Sequence, residues 1–473
     1  MNRRLALPLA LLLTGCIGPR PTPPQGAAIA PPPAWREKVA PSAAIEVDWW
    51  RRFGDPDLTA LVEEALANNA QIGLAAARVA EARAHLREAR AARGPELDFT
   101  GIGGYTRQLE VTGPVTTWGA EPEGTIAYDF DLFGRLASAS AASRAQLLAT
   151  KAAQDAVRLG VAGTTAQTYI ALLGYDRRLA IARSTLQART EALDIQRRLT
   201  GGGYSSKLEL RQAESEFRAT EQLVPQAELA VTQTEDALSI LVGRAPSDIR
   251  RPAPGLEGLA VPEVPGGLPS EVLRRRPDIF AAEESVVAAD RSLDSARAAM
   301  LPNFALTGSG GAIFASVLPN PQSIFLIGGS VLAPLFDSGR RRANADVAAA
   351  RRDQAAYQYR DTVLEALKEV EDALAGVRRN DERRLSLLAQ VEAQQAELEV
   401  ASKRYRAGYA SYLTQIDAQR ALLSAQLSLA EAETSRLNAY VALYRALGGG
   451  WSRDTISADA RPAPATPPLS NGD

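Results

Sequence analysis

Residues 361–377 read DTVLEALKEVEDALAGV, and residues 391–409 read VEAQQAELEVASKRYRAGY. Val363, Val370 and Val377, then Val391, Leu398 and Tyr405, fall on one seven-residue row, with Leu367, Leu374 and Leu388 on a second. Asp381 and Arg384 interrupt the rows. A sustained heptad of apolar residues demands partner helices and a left-handed supercoil. No proline occurs from Arg340 to Arg406, and at ~1.5 Å per residue such a run is on the order of 100 Å long. It breaks at Gly408-Tyr409. A second helix then returns, with Leu413, Leu427 and Val441 on one row and Ile416, Leu423, Leu437 and Tyr444 on another, and stops at Gly448-Gly449-Gly450.

The same script occurs once more upstream. Gly134-Arg135 recurs as Gly339-Arg340, and Gly203-Tyr204 as Gly408-Tyr409, both at a shift of 205 residues. Phe99 and Phe304, Leu208 and Leu413, Leu238 and Leu443, and Gly243 and Gly448 keep that shift. Further upstream it becomes 207, pairing Ile72 with Ile279, Arg90 with Arg297 and Pro95 with Pro302. Matches at glycine, proline and aromatic positions in one order mark an internal duplication. The first repeat spans 55–243, with its turn near 203. The second spans 262–451, with its turn near 408. Residues 244–261 form a Pro-rich join.

Each repeat opens with a moderate helix, expected over Pro56–Arg93 and Ser270–Met300, that Pro95 or Pro302 ends. A glycine- and aromatic-rich segment follows, about 96–133 or 303–337, read as two strands. Leu97, Phe99 and Tyr105 share one parity, as do Ile126, Tyr128 and Phe130, and Phe304, Leu306 and Phe314. Residues two apart lie on one face of a strand, so each strand has an apolar face. A long helix, a tight turn and a returning helix complete the repeat. In the first half the long run carries Leu172, Leu179, Leu186 and Leu193.

At the N-terminus, Arg3 and Arg4 precede the apolar stretch Leu5–Leu13 and then Thr14-Gly15-Cys16. The stretch is too short to span a membrane and reads as a signal peptide over 1–15. Cys16 is the single cysteine of the chain, so it serves no internal disulfide. Small residues before it form a lipobox, so Cys16 is the expected lipidation site, and 16–54 a lipid-anchored extension. That covalent lipid is the only non-protein group expected, with no other cofactor and no metal. The segment 452–473, with Pro462, Pro464, Pro467 and Pro468, reads as a disordered tail.

The net charge of −2 leaves no nucleic-acid footprint. His85 is the only histidine, which removes most metal-site and histidine-based catalytic schemes. No phosphate-loop, HExxH or GxSxG motif is present, so no enzyme is expected. The fold class is mainly α with a membrane β-barrel contribution. Four strands cannot close a barrel, since the smallest single-chain membrane barrels have about eight. An open sheet edge in lipid leaves unpaired backbone groups, so the barrel must be shared between chains. The competing reading is a periplasmic coiled-coil adaptor or scaffold lipoprotein without a pore. The strand pairs argue against it.

The segment Arg404-Tyr405-Arg406-Ala407-Gly408-Tyr409, then Tyr412-Leu413, Asp417-Ala418-Gln419-Arg420 and Leu443 to Trp451, resembles the TolC/OprM family of outer-membrane efflux factors. So do Asp48-Trp49-Trp50, Phe53-Gly54-Asp55-Pro56 with Leu58, and Phe130-Asp131-Leu132-Phe133-Gly134-Arg135. The likeness covers residues 45–451 and is nearest to the lipid-anchored NodT-type branch, the outer-membrane subunits of RND-type efflux systems. It implies a homotrimer with a 12-stranded barrel on an α-barrel tunnel that extends from the cell outer membrane into the periplasm. It also implies an exit duct for drugs or other small molecules. The partners implied are a periplasmic adaptor (a membrane fusion protein), an inner-membrane pump of RND type and outer-membrane lipid. By the same resemblance, Gly203, Tyr204, Gly408 and Tyr409 form the adaptor-docking tips, and Tyr405, Leu413, Asp417 and Arg420 an iris-like gate. Relatives often carry a second acidic residue three positions before Asp417. Thr414 stands there in this chain.

Overall fold

The computed structural model describes residues 19–37, 46–111, 113–251, 255–263 and 268–453. The signal segment, Cys16 and residues 454–473 of the tail lie outside the described residues. Nine α-helices and four strands occur among the described residues. In chain order they are α1 (Pro56–Asn68), α2 (Ala70–Ala91), β1 (Glu96–Glu110), β2 (Gly113–Phe130), α3 (Arg135–Gly201), α4 (Lys207–Glu221), α5 (Leu223–Leu241), α6 (Pro269–Arg275), α7 (Pro277–Ala298), β3 (Asn303–Ala315), β4 (Gln322–Leu332), α8 (Arg340–Arg406) and α9 (Tyr412–Ala446). The two long helices α3 and α8 are 67 residues each.

The helix expected over Pro56–Arg93 is two helices, because Asn69 between them is extended (φ −63, ψ 129). Its side chain explains the break. Oδ1 accepts from Gln71 N at 2.9 Å, capping α2, while Nδ2 donates to the Leu241 carbonyl at 2.8 Å. Such local side-chain bonds compete with helix continuation. The helix expected over Ser270–Met300 also breaks, at Arg276, which precedes Pro277 and is extended (φ −103, ψ 124), as the residue before a proline prefers. The returning helix of the first half is likewise split, between α4 and α5 at Gln222. Pro225, three residues on, lacks the N–H that would have bonded back to residue 221.

The chain divides into two compact units. Unit 1 comprises Met1–Ile29, Ala77–Ala152 and Phe280–Thr362, and unit 2 comprises Ala30–Ala76, Ala153–Ile279 and Val363–Asp473. Unit 1 holds the sheet, antiparallel throughout in the order β1-β2-β3-β4. Its register puts Leu97 opposite Ile126, Ile126 opposite Gly308, and Gly308 opposite Ile327. Phe130, Phe304 and Val331 form a second row, and Tyr105 faces Trp118. Directly opposed residues share a face, so the apolar parities of all four strands meet on one side. The other side is polar on β1 to β3 and mixed on β4: one row runs Asp98, Thr125, Ser309 and Leu326, another Asp129, Ala305 and Ser330, and Ile324 and Leu332 of β4 share this side. Pro122 interrupts the β2–β3 ladder. A Cβ on Gly311 of β3 would lie 2.4 Å from the Pro122 carbonyl oxygen, so glycine is needed at that approach. β1 and β4 each keep one edge without a strand neighbour among the described residues.

Unit 2 holds the main apolar core. Trp49, Phe53, Leu58, Tyr169, Ile170, Leu238, Val370, Val441 and Tyr444 are buried together. The Trp49 and Tyr444 rings stack at 5.5 Å. Asp55 caps α1 by accepting from Asp57 N and Leu58 N, and Tyr169 Oη donates to its other carboxylate oxygen at 3.0 Å. The heptad residues Val363, Val370, Leu374 and Val377 are buried, whereas Leu388 is exposed within one chain. The charges that interrupt the rows find partners on α9. Asp381 pairs with Arg436 and accepts from Tyr440 Oη, and Arg384 lies 3.7 Å from Glu433. Among the described residues, no helix is long and apolar enough to cross a membrane.

Candidate functional site: the helix tips of unit 2

Both long helices end in the same way. At the end of α3, Gly203 takes φ +81, Tyr204 N donates to the Leu199 carbonyl at 2.8 Å and Gly203 N to Thr200 at 3.1 Å. At the end of α8, Gly408 takes φ +78, Tyr409 N donates to Arg404 at 2.8 Å and Gly408 N to Tyr405 at 2.9 Å. These are paired Schellman ends, in which a left-handed glycine lets two orphan helix carbonyls be satisfied. Each returning helix then starts on a serine cap. Ser206 forms a reciprocal capping box with Glu209, and Ser411 accepts from Thr414 N. Tyr204 and Tyr409 are left at 84% and 78% exposure, so two aromatic rings stand in solvent at the turns.

Just behind the turns lies a small second core of Leu193, Ala213, Tyr412 and Ile416, with Tyr405 and Phe217 packed against it. Two of the four iris positions, Tyr405 and Arg420, are tied into a polar network around it. Tyr405 Oη accepts from Gln196 Nε2 at 2.7 Å, and Gln196 Oε1 accepts from Ser205 Oγ at 2.8 Å. The Tyr405 and Tyr412 rings are 5.2 Å apart. Arg420 does not pair chiefly with Asp417, which is 3.6 Å away. Its guanidinium goes to Glu216 of α4, with Nε 2.9 Å from Oε1 and Nη2 on the same oxygen. Glu216 is buried, and its other oxygen meets the buried Arg189 of α3 at 3.1 Å. Arg189 also donates to Gln419 of α9. One carboxylate therefore ties α3, α4 and α9 together. Leu413 stands apart from this network and is about half exposed, and the Asp417 carboxylate is well exposed.

The electrostatics follow the burial. Desolvation lowers the Arg189 pKa, against the opposing charge of Glu216. The hydrogen bond to Glu216 raises that of Arg420. Burial pushes the Tyr405 and Tyr412 hydroxyls up. Two cations on one buried carboxylate satisfy it on both oxygens, the condition under which a buried charge is tolerated. Sequence reasoning missed Glu216, Arg189 and Gln196. Their counterparts in the second repeat, 205 residues on, are Ala421, Gln394 and Ala401. None of these carries a charge, so the duplication offers no signal for the network.

Residues 61–244 and 268–449 match the family described as Outer membrane efflux protein. The chain is 34% identical over 463 residues to the pyoverdine export outer membrane protein OpmQ of Pseudomonas putida, covering 95% of this chain and 97% of that protein. Its fold is similar to that of the outer-membrane channel OprN, with a TM-score of 0.82 and 30% identity over 92% of this chain and all of that one. It is also similar to the open state of the MtrE outer membrane channel of Neisseria gonorrhoeae, with a TM-score of 0.81 and 28% identity over 92% of this chain and 99% of that one.

Proposed function

The chain belongs to the outer membrane efflux protein family and is an outer-membrane efflux channel, and from that premise we propose that three copies form the exit duct of a tripartite pump. The observation that carries this reading is the sheet of unit 1. It has one apolar face, one face that is polar on β1 to β3 and, among the described residues, two open edges. In lipid an open edge is costly, and joining edges between copies removes it. Three copies supply twelve strands, with the apolar face outward and the polar face lining the pore.

In this reading a periplasmic adaptor docks at the turns around Gly203, Tyr204, Gly408 and Tyr409, and an RND-type inner-membrane pump delivers the cargo. The cargo class is small molecules. A lipid on Cys16 adds an anchor in the outer membrane, each buried CH₂ contributing about 0.8 kcal/mol. The gate is the tip network. Tyr405 and Arg420 hold α8 and α9 to α3 and α4 through Gln196 and Glu216, Leu413 narrows the opening, and Asp417 gives it a cation preference.

The test is export of a toxic compound by a strain lacking its own duct. The wild-type chain should restore resistance, and a chain with charged residues placed on the apolar face, Phe130→Asp with Phe304→Asp, should not. Equal resistance with both would contradict the reading.

A further inference from the structure

In unit 1, Pro19–Ala28 lies along α7 and α8, held by arginines on five of its carbonyls and by the Arg20 side chain. Arg352 of α8 is 2% exposed. Its Nη1 donates to the Pro21 carbonyl at 2.7 Å and its Nη2 to Thr22 at 2.9 Å, while Asp353 takes Nε at 3.0 Å. Arg360, about two turns further along α8, donates to the carbonyls of Gly26 and, at 3.3 Å, Ala28. From α7, Arg297 donates to the Pro19 carbonyl at 3.1 Å, and Asp290 and Asp294 take the Arg20 guanidinium at 2.7 and 3.0 Å.

The segment suits this mode of recognition. Pro19, Pro21, Pro23 and Pro24 have no N–H, and a proline-rich stretch is extended in advance with its carbonyls outward; Gln25–Ala27 then form one 3-10 turn, closed by Ala27 N on the Pro24 carbonyl at 3.0 Å. A buried guanidinium is tolerated only when its donors are satisfied, and two of the acceptors of Arg352 are supplied by this segment. At Gly26 a Cβ would lie 3.2 Å from Tyr357 Oη, so the approach favours glycine.

We propose that the α7–α8 face of unit 1 is a binding groove for a proline-rich peptide read through its carbonyls, extended as far as Pro24 and turned once at Gln25–Ala27, and that the chain's own residues 19–28 occupy it as a staple joining the two helices. Arg352 is the principal grip, and Arg360, Arg297 and the Asp290–Asp294 pair set the register.

The test uses the full chain with Cys16→Ser and a nitroxide on Thr22→Cys, an exposed side chain outside the grip. The label should be immobilised in this background, and mobile with Arg352→Ala. Arg352→Lys, which offers a point charge in place of a fork, should fall between. Should Arg352→Ala fail to fold, Gly26→Leu should free the label and added Tyr357→Ala should restore its immobility. Separately, a synthetic peptide of residues 19–30 should bind a chain lacking residues 19–28, at least tenfold more weakly when that chain carries Arg352→Ala. A label equally immobile in every variant, or peptide binding indifferent to Arg352, would overturn the proposal.

Discussion

Arg420 of α9 reaches the buried carboxylate of Glu216 on α4, with Nε 2.9 Å from Oε1, while the exposed Asp417 lies 3.6 Å from the same guanidinium. The residue that holds Arg420 is thus an acid on the neighbouring helix of the other repeat. This relationship decides which substitutions should loosen the tip and which should only change its charge.

Glu216→Gln should loosen it. Arg189 and Glu216 are both buried, and removing one partner of such a pair costs ~3–5 kcal/mol. The Arg420 side is more than half exposed and adds little to that. The resting single-channel conductance should rise, and the denaturant midpoint should fall. An unchanged conductance would place the closing contact elsewhere.

Asp417→Asn should leave the closed state intact and weaken cation preference, because its carboxylate is exposed and only distantly paired. The reversal potential under a salt gradient reads this directly. A wild-type potential would remove Asp417 from the pore.

At the turns, glycine and tyrosine replacements should separate. No atom lies within 4 Å of a Cβ built at Gly203 or Gly408, so Gly408→Val is opposed by backbone conformation, at about 1–2 kcal/mol. Tyr204→Ala with Tyr409→Ala removes two exposed rings and should lower resistance while leaving trimer assembly unchanged. Full resistance in the tyrosine variant would put adaptor docking elsewhere.

The two turns are legible in sequence because a Gly-Tyr pair at the end of a proline-free run is a local signal. The apolar strand parities are legible for the same reason, since alternation needs no knowledge of the partner strand. The break at Asn69 is not, because its side chain is held partly by the Leu241 carbonyl, far away in the chain. Glu216 is hidden for a related reason. Its two arginines come from α3 and α9, and α4 alone shows only one more acid on a polar helix.

Alkaline pH should destabilise unit 2. Burial is the main cause that raises the pKa of Tyr169, Tyr405, Tyr412, Tyr440 and Tyr444, and the Asp55 charge adds to it at Tyr169. A hydroxyl whose pKa is raised on folding contributes stability that is fully present below the unfolded value, about 10, and is lost as pH rises through the folded value. Denaturant midpoints should therefore fall above pH ~10. Tyr169→Phe should cost about 1–2 kcal/mol at neutral pH by removing the donor to one of the two Asp55 carboxylate oxygens, and should flatten the alkaline decline. An equally steep decline in that variant would assign it to other groups.

Cys16→Ser should abolish acylation while leaving protein in the outer membrane, because a barrel shared between copies would insert through its own apolar face. Mass spectrometry of the mature chain reads the first outcome and membrane fractionation the second. An unmodified Cys16 in the wild-type protein would contradict the anchor.

The most direct test of the central claim is single-channel recording in a planar bilayer with protein of known oligomeric mass. The expected result is a particle of about three times the mature mass that conducts at a low resting level, with a higher level in Glu216→Gln. A monodisperse monomer, or a trimer with no conductance in either form, would contradict the duct.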